Sequence, residues 1–340
     1  MLLNLSRTTR TMAMPRPGHS MSMDGGRTTV QGRSARLSRV DSSTRRQSMT
    51  TPYGIAKWQT AVMWAALFLY AQSRICQLYP DRISIQLIVF MQVAAPAVFA
   101  LVHGSILYRL RGMAAFTVLC LGAGTLCECL SLRTGFPFGH YYFTDLMGPK
   151  IFHVPIMLVM AYLGIGYCSW VLGLLILKYR NKPFQGVGVI GLPLLASFIM
   201  LAWDFSMEAI WSTIDRAWIW RDGGSFYGVP LSNFLGWYFT AYLFYQAFAL
   251  YCRADPVKLA PSSRSYWRAA ILCYGVCGFG NLLIFRAGLF PPAVTDASGR
   301  QWFTMDILFA CSLISVLAMV PMALLAWHRL EVQEIEILGR

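Results

Sequence analysis

The stretch VGVIGLPLLASFIMLAWDFSMEAIW, residues Val187–Trp211, decides the fold, and its first charged side chain is Asp204. A helix rises about 1.5 Å per residue, so about 20 apolar residues cross the hydrocarbon layer of a bilayer. This run is long enough to do so. Working outward, seven further runs share its character: Trp58–Leu78, Ile85–Leu107, Met113–Leu132 and Ile151–Lys178 before or beside it, then Ser232–Cys252, Trp267–Phe285 and Asp306–His328. The pattern predicts an all-α protein, a polytopic integral membrane bundle of about eight transmembrane helices. Composition agrees: charged residues make up 13% of the chain, against about 25% in a soluble domain.

The net charge of +14 does not point to nucleic acid. The excess sits in the first 52 residues and in short loops between apolar runs. With both termini on the inner side, 21 of the 29 Lys and Arg fall inside and 8 outside, which is the positive-inside pattern. Residues 1–52 are rich in Ser, Thr and Arg, show no hydrophobic period, and read as a disordered basic arm. Residues 53–330 form the expected helix-bundle domain and 331–340 a short tail. The protein is expected in the cell membrane, or in an organelle membrane if the arm is a transit peptide. Arg74, near the end of the first run, is expected to snorkel to the interface.

This orientation gathers two long aromatic loops on the outer face. They are TGFPFGHYYFTDLMGPK (134–150) and DRAWIWRDGGSFYGVPLSN (215–233). Acids cluster in the same half: Glu128 near the outer end of the third run, Asp204 and Glu208 in the fifth, Asp306 opening the eighth. An ascending helix with an acid, an aromatic-Gly loop and a Val-Pro element occurs twice, at Glu128 to Pro155 and at Asp204 to Pro230, which suggests an internal repeat.

A carboxyl group inside a span is costly and marks a functional site by default. Asp204 and Glu208 are four apart and share one helical face. Two like charges in a low-dielectric site do not readily both ionise, so a proton donor would stand beside an acceptor, as acid–base catalysis requires. The structural alternative is a hydrogen-bonded pair that glues helices together. Glu128 follows the same logic, or snorkels. Asp145 and Asp222 read as solvated turn residues, and Asp306 and Asn233 as helix caps. The aromatic loops are either an interfacial belt or the lining for a long apolar ligand, whose cationic intermediates aromatic faces would stabilise.

Some chemistries are disfavoured. The five histidines form no paired boxes for iron, no Lys lies mid-span, no phosphate loop follows a strand, and no spacing pairs Cys with His for zinc. No metal or cofactor is expected. His140 and His153 remain possible proton carriers.

Two motifs then carry a resemblance. Glu128 precedes G-F-P-F-G-x-Y-x-F-T-D (135–145), followed by Gly148-Pro149 and Val154-Pro155. The helix W-D-x-x-M-E (203–208) precedes Trp218-x-Trp220, Gly223-Gly224 and F-Y-G-V-P-L-S-N-F-x-G-W (226–237). Together they resemble the membrane carotenoid hydratase family of the CruF type, which includes bisanhydrobacterioruberin hydratases and γ-carotene 1′,2′-hydratases. Many relatives carry Asp-Pro where this chain has Glu208-Ala209. The resemblance implies a lyase of carotenoid biosynthesis that adds water across the terminal isoprenoid double bond of an acyclic carotenoid end. Asp204 and Glu208 would form its acid–base pair, with Glu128 third. Phe138, Tyr141, Tyr142, Trp220, Tyr227, Asn233 and Trp237 would bind substrate. The expected partners are water and a polyisoprenoid drawn from the bilayer, and the oligomeric state is left open. A membrane terpenoid cyclase using the same carbocation, a proton-coupled transporter and a non-catalytic membrane subunit are the alternatives.

Overall fold

The computed structural model describes residues 54–180, 185–256, 261–285 and 288–338; the basic arm expected over 1–52 lies outside them. Every apolar run coincides with helix. Helix α1 is Lys57–Cys76, and α2, Ile85–Thr134, takes in the second and third runs. Then come α3 (Ile156–Ile176), α4 (Gly188–Ala209), α5 (Leu231–Ala254) and α6 (Arg264–Leu283). The last run is α7 (Thr304–Ile314) and α8 (Val320–Leu338), joined by a π-helical turn, Ser315–Met319. Helix α8 therefore continues through residues read as a tail. Among the described residues, four helical stretches are long and apolar enough to cross a membrane: Ile85–Thr134, Ile156–Ile176, Gly188–Ile214 and Thr304–Gln333. The chain is thus an all-α membrane protein.

Helix α2 is two limbs, not one 50-residue rod. Ser84 caps its start by accepting from the Leu87 N–H (3.3 Å), and its backbone breaks at Arg109, where φ is 59°. In a straight helix residues 104 and 113 would stand about 13 Å apart. Here a Cβ on Gly104 would collide with the Met113 side chain, so the chain folds back at the break. Helix α3 lies at the centre: Trp170, Val171 and Leu172 are fully buried, and its neighbours are α2, α4, α6 and α8. By contrast, α2 and the π turn after α7 expose Leu110, Val118, Leu126 and Leu317. Such exposed hydrocarbon suits lipid rather than water.

Three small ribbons tie the loops. Strands β1 (Tyr141–Phe143) and β4 (Trp218–Trp220) pair antiparallel, Tyr141 opposite Trp220 and Phe143 opposite Trp218. Strands β2 (Lys150–Ile151) and β3 (Val154–Pro155), and β5 (Ala293–Thr295) and β6 (Gln301–Phe303), make two hairpins. The β1–β4 pair joins the two aromatic loops directly, even though about 75 residues separate them along the chain. Two glycines allow this approach. Gly135 ends α2 at φ 80°, a conformation that L side chains resist. A Cβ at Gly236 on α5 would strike Phe138 and the Pro137 backbone.

Two expected caps are not caps. The N-cap of α5 is Pro230 and that of α7 is Phe303. Asn233 and Asp306 both fall three residues further on, inside the first turn. There Asp306 stays exposed and Asn233 is buried with another partner.

Candidate active site

Strand alternation builds the site. Successive side chains in a strand point to opposite faces, so Tyr141 and Phe143 from β1 meet Trp218 and Trp220 from β4 on one face, over the ends of α2 and α4. Together with Glu128, Glu208, Phe138, Leu158, Asn233 and Trp237 they line a small cavity. No Lys or Arg is among the residues lining it.

Each acid is held by neutral donors. Glu128 is 3% exposed. Tyr162 of α3 donates its hydroxyl to Oε1 at 2.8 Å, and Tyr141 donates to Oε2. Trp237 stacks on the Tyr162 ring, centroids 4.4 Å apart. Glu208 is 1% exposed. The Trp218 and Trp220 indole N–H groups both donate to its Oε1, at 2.7 and 2.8 Å, which leaves Oε2 outside that clamp. Asp204 is fully buried one turn earlier on the same helix. Asn233 Nδ2 donates to its Oδ2 at 3.1 Å, and Oδ1 has no hydrogen-bond partner. Asp204 lies within electrostatic reach of both Glu208 and Glu128. The helix carrying the pair ends in a π-helical turn, Ile210–Ile214, where Ser212 donates its hydroxyl to the Glu208 carbonyl at 2.8 Å.

Of the residues expected from sequence, Glu128, Glu208, Phe138, Tyr141, Trp220, Asn233 and Trp237 meet at the cavity wall. Asp204 stands behind that wall, reached through Asn233. Two do not join it. Tyr142 alternates to the other face of β1, 46% exposed, with the Arg221 guanidinium 5.7 Å from its ring. Tyr227 packs against Trp302, and its carbonyl accepts from Thr213 Oγ1 at 2.6 Å. His140 pairs outside with Asp222 (3.1 Å), and His153 is exposed on the β2–β3 turn; neither lines the cavity. Asp145 pairs with Lys150 at the surface.

Tyr162 and Trp218 touch the acids but are not among the site residues expected from sequence, where Trp218 stood only as part of the Trp218-x-Trp220 motif. For Trp218 a signal existed: in a strand, Trp-x-Trp puts both indoles on one face. Tyr162 gave none, being one aromatic within an apolar span.

A membrane helix bundle enclosing a cavity lined by carboxyl groups, indoles and phenols is the class that fold and site define. More narrowly, the chain belongs to the carotenoid biosynthesis protein family, whose model matches residues 84–297, well over half of the chain and both carboxyl-bearing helices. No curated protein and no solved structure matches it.

Proposed function

We propose that the protein is a carotenoid hydratase, adding water to the terminal C=C of an acyclic carotenoid end. The observation that carries this reading is a pair of buried carboxyls, Glu128 and Glu208, on the wall of one apolar cavity without a cation. Three neighbouring carboxyls in a low-dielectric site do not all ionise, so the trio retains at least one proton.

The differing hydrogen bonds suggest roles. Both Glu128 oxygens accept from phenols, which suits a carboxylate. In Glu208 both indoles sit on Oε1, which suits a carboxylic acid whose Oε2 carries the transferable proton. Asp204 shares that proton through its position one turn away. In the reaction, Glu208 Oε2–H protonates the less substituted alkene carbon and a tertiary carbocation forms. The faces of Phe138, Tyr141, Trp220 and Trp237 and the Glu128 carboxylate stabilise it. Water adds to the cation, its surplus proton passes to Glu128, and a proton then returns across the trio to Glu208. The net change is alkene plus water to tertiary alcohol, with the enzyme restored.

In this reading all eight runs cross the membrane, with both termini on the inner side, as a multi-pass integral protein. The hydrocarbon substrate enters from the bilayer, and no further cofactor takes part. A cyclase would run through the same cation, but the polar donors around Glu128 favour capture by water over capture by a second alkene.

Expression in cells that accumulate lycopene, with pigment analysis by mass spectrometry, tests this. A gain of one water is expected. An isomer of unchanged mass would mean a cyclase. Unaltered pigment, with the protein present in the membrane, would overturn the assignment for this substrate.

A further inference from the structure

A second cavity adjoins the first and shares Leu158 and Trp218 with it. Its walls are mostly apolar, with Val93, Met157, Ile165 and Trp211 among them, but one end is polar: Arg74, Gln92 and Asn281. The sequence reading sent Arg74 to the interface. Instead it is 7% exposed, wedged between α1, α2 and α6. Nη1 donates to Gln92 Oε1 (3.0 Å), and Nη2 to Asn281 Oδ1 (2.5 Å) and to the Cys277 carbonyl (3.5 Å). Nε is buried and has no acceptor. Gly280 makes the room: a Cβ there would collide with Nε.

Every one of these partners is a neutral oxygen. Among the described residues no Asp or Glu pairs with Arg74. A buried guanidinium without a counter-charge is among the most costly arrangements a fold can hold. A pure hydrocarbon in the cavity would leave that charge uncompensated. A carboxylate or phosphate beside the guanidinium would neutralise it, while the apolar remainder suits a hydrocarbon chain. We infer that this cavity binds an amphiphile with one anionic oxygen headgroup, held at Arg74, and a hydrocarbon tail along Val93, Met157 and Ile165. The site is separate from the carboxyl trio and does not rest on the hydratase reading.

Photolabelling of the full chain in detergent tests it without an activity readout. Three probes carry the same tail diazirine: a long-chain fatty acid, a phosphatidate and the fatty alcohol. Adducts are mapped by peptide mass spectrometry. Saturable labelling at Met157 or Trp211 by the acid or the phosphatidate is expected, and whichever labels more strongly identifies the headgroup. The alcohol should label these positions at least about tenfold less, the scale of a lost charge-assisted hydrogen bond. Arg74→Gln should reduce labelling by the anionic probes to the level of the alcohol, while Arg74→Lys keeps part of it. Equal labelling by acid and alcohol on the unaltered protein would overturn the inference even if Arg74→Gln did not fold. So would a lack of saturable adducts at the cavity.

Discussion

Two of the polar clusters buried among the described residues are built to opposite plans. Around His103, every valence is filled. Nε2 faces the Tyr266 carbonyl at 3.0 Å, so it carries the hydrogen, and Nδ1 then accepts from the Tyr167 hydroxyl at 2.7 Å. The Tyr266 ring stacks on the imidazole, centroids 3.7 Å apart, and its hydroxyl donates to the His103 carbonyl at 2.7 Å. None of these residues lines the carboxyl cavity or the Arg74 cavity. Glu128 and Glu208 are held by phenol and indole donors and also line a cavity. Burial of polar groups is common to both clusters. What separates them is whether a reacting atom has somewhere to sit.

The largest expected effect tests that contrast directly. Glu208→Gln and Glu128→Gln each keep shape and remove a transferable proton or a charge. On the proposed hydratase reading, hydration in membranes should fall by about 10²–10⁴-fold, the usual contribution of a positioned acid or base, with the protein still folded. If either variant, or Asp204→Asn, retains most activity, its residue has no such role. Next come Trp218→Phe and Trp220→Phe, which each remove one indole donor from Glu208. Glu208 becomes a carboxylate as it gives up its proton, and a hydrogen bond to a charged group is worth about 1.5–3 kcal/mol, so losses of about tenfold or more in kcat are expected, read in the same pigment assay.

His103→Leu should behave in the reverse sense. It removes the two hydrogen bonds of the imidazole, to the Tyr167 hydroxyl and the Tyr266 carbonyl, at about 0.5–1.5 kcal/mol each. Thermal unfolding in detergent should fall accordingly, while turnover per folded molecule stays unchanged. A kinetic defect instead would erase the distinction between the clusters. Tyr142→Ala, at an exposed ring outside the cavity, should leave the rate within about twofold, since surface substitutions rarely cost more than about 0.5 kcal/mol.

A last effect, on stability rather than rate, concerns Asp215, just past the π turn that follows Glu208. Burial pushes its carboxyl up to about 7. Between the ordinary carboxylate range near 4 and that value, the folded protein holds a proton that the unfolded chain has released. Stability therefore declines as pH rises through this window. Asp215→Asn should flatten that part of the pH–stability curve, measured against the unaltered protein.

Much of the fold was legible because apolar runs of membrane-crossing length have few structural alternatives. The break at Arg109 was legible too, as the charged interval between two such runs. Membership of the site was only half legible. Asp204 and Glu208 announced one another by helical spacing, and Trp218 by strand spacing with Trp220. Nothing local told that Glu128 would come to the same cavity 80 residues away, or that Tyr162 would reach it from the central helix. Those meetings depend on how α2, α3 and α4 pack. Arg74 misled for the same reason: a cation near a helix end usually finds water, and only the arrival of Asn281 and Gln92 from other helices holds it inside.

Trp218 belongs to both cavities at once. Its indole N–H holds Glu208, while its ring forms part of the wall on the Arg74 side. A partition of that kind makes the two compartments thermodynamic neighbours. Any occupant that shifts the indole in one chamber alters the proton affinity of the carboxyl in the other. By linkage, protonation of Glu208 must alter that occupant's affinity by the same factor.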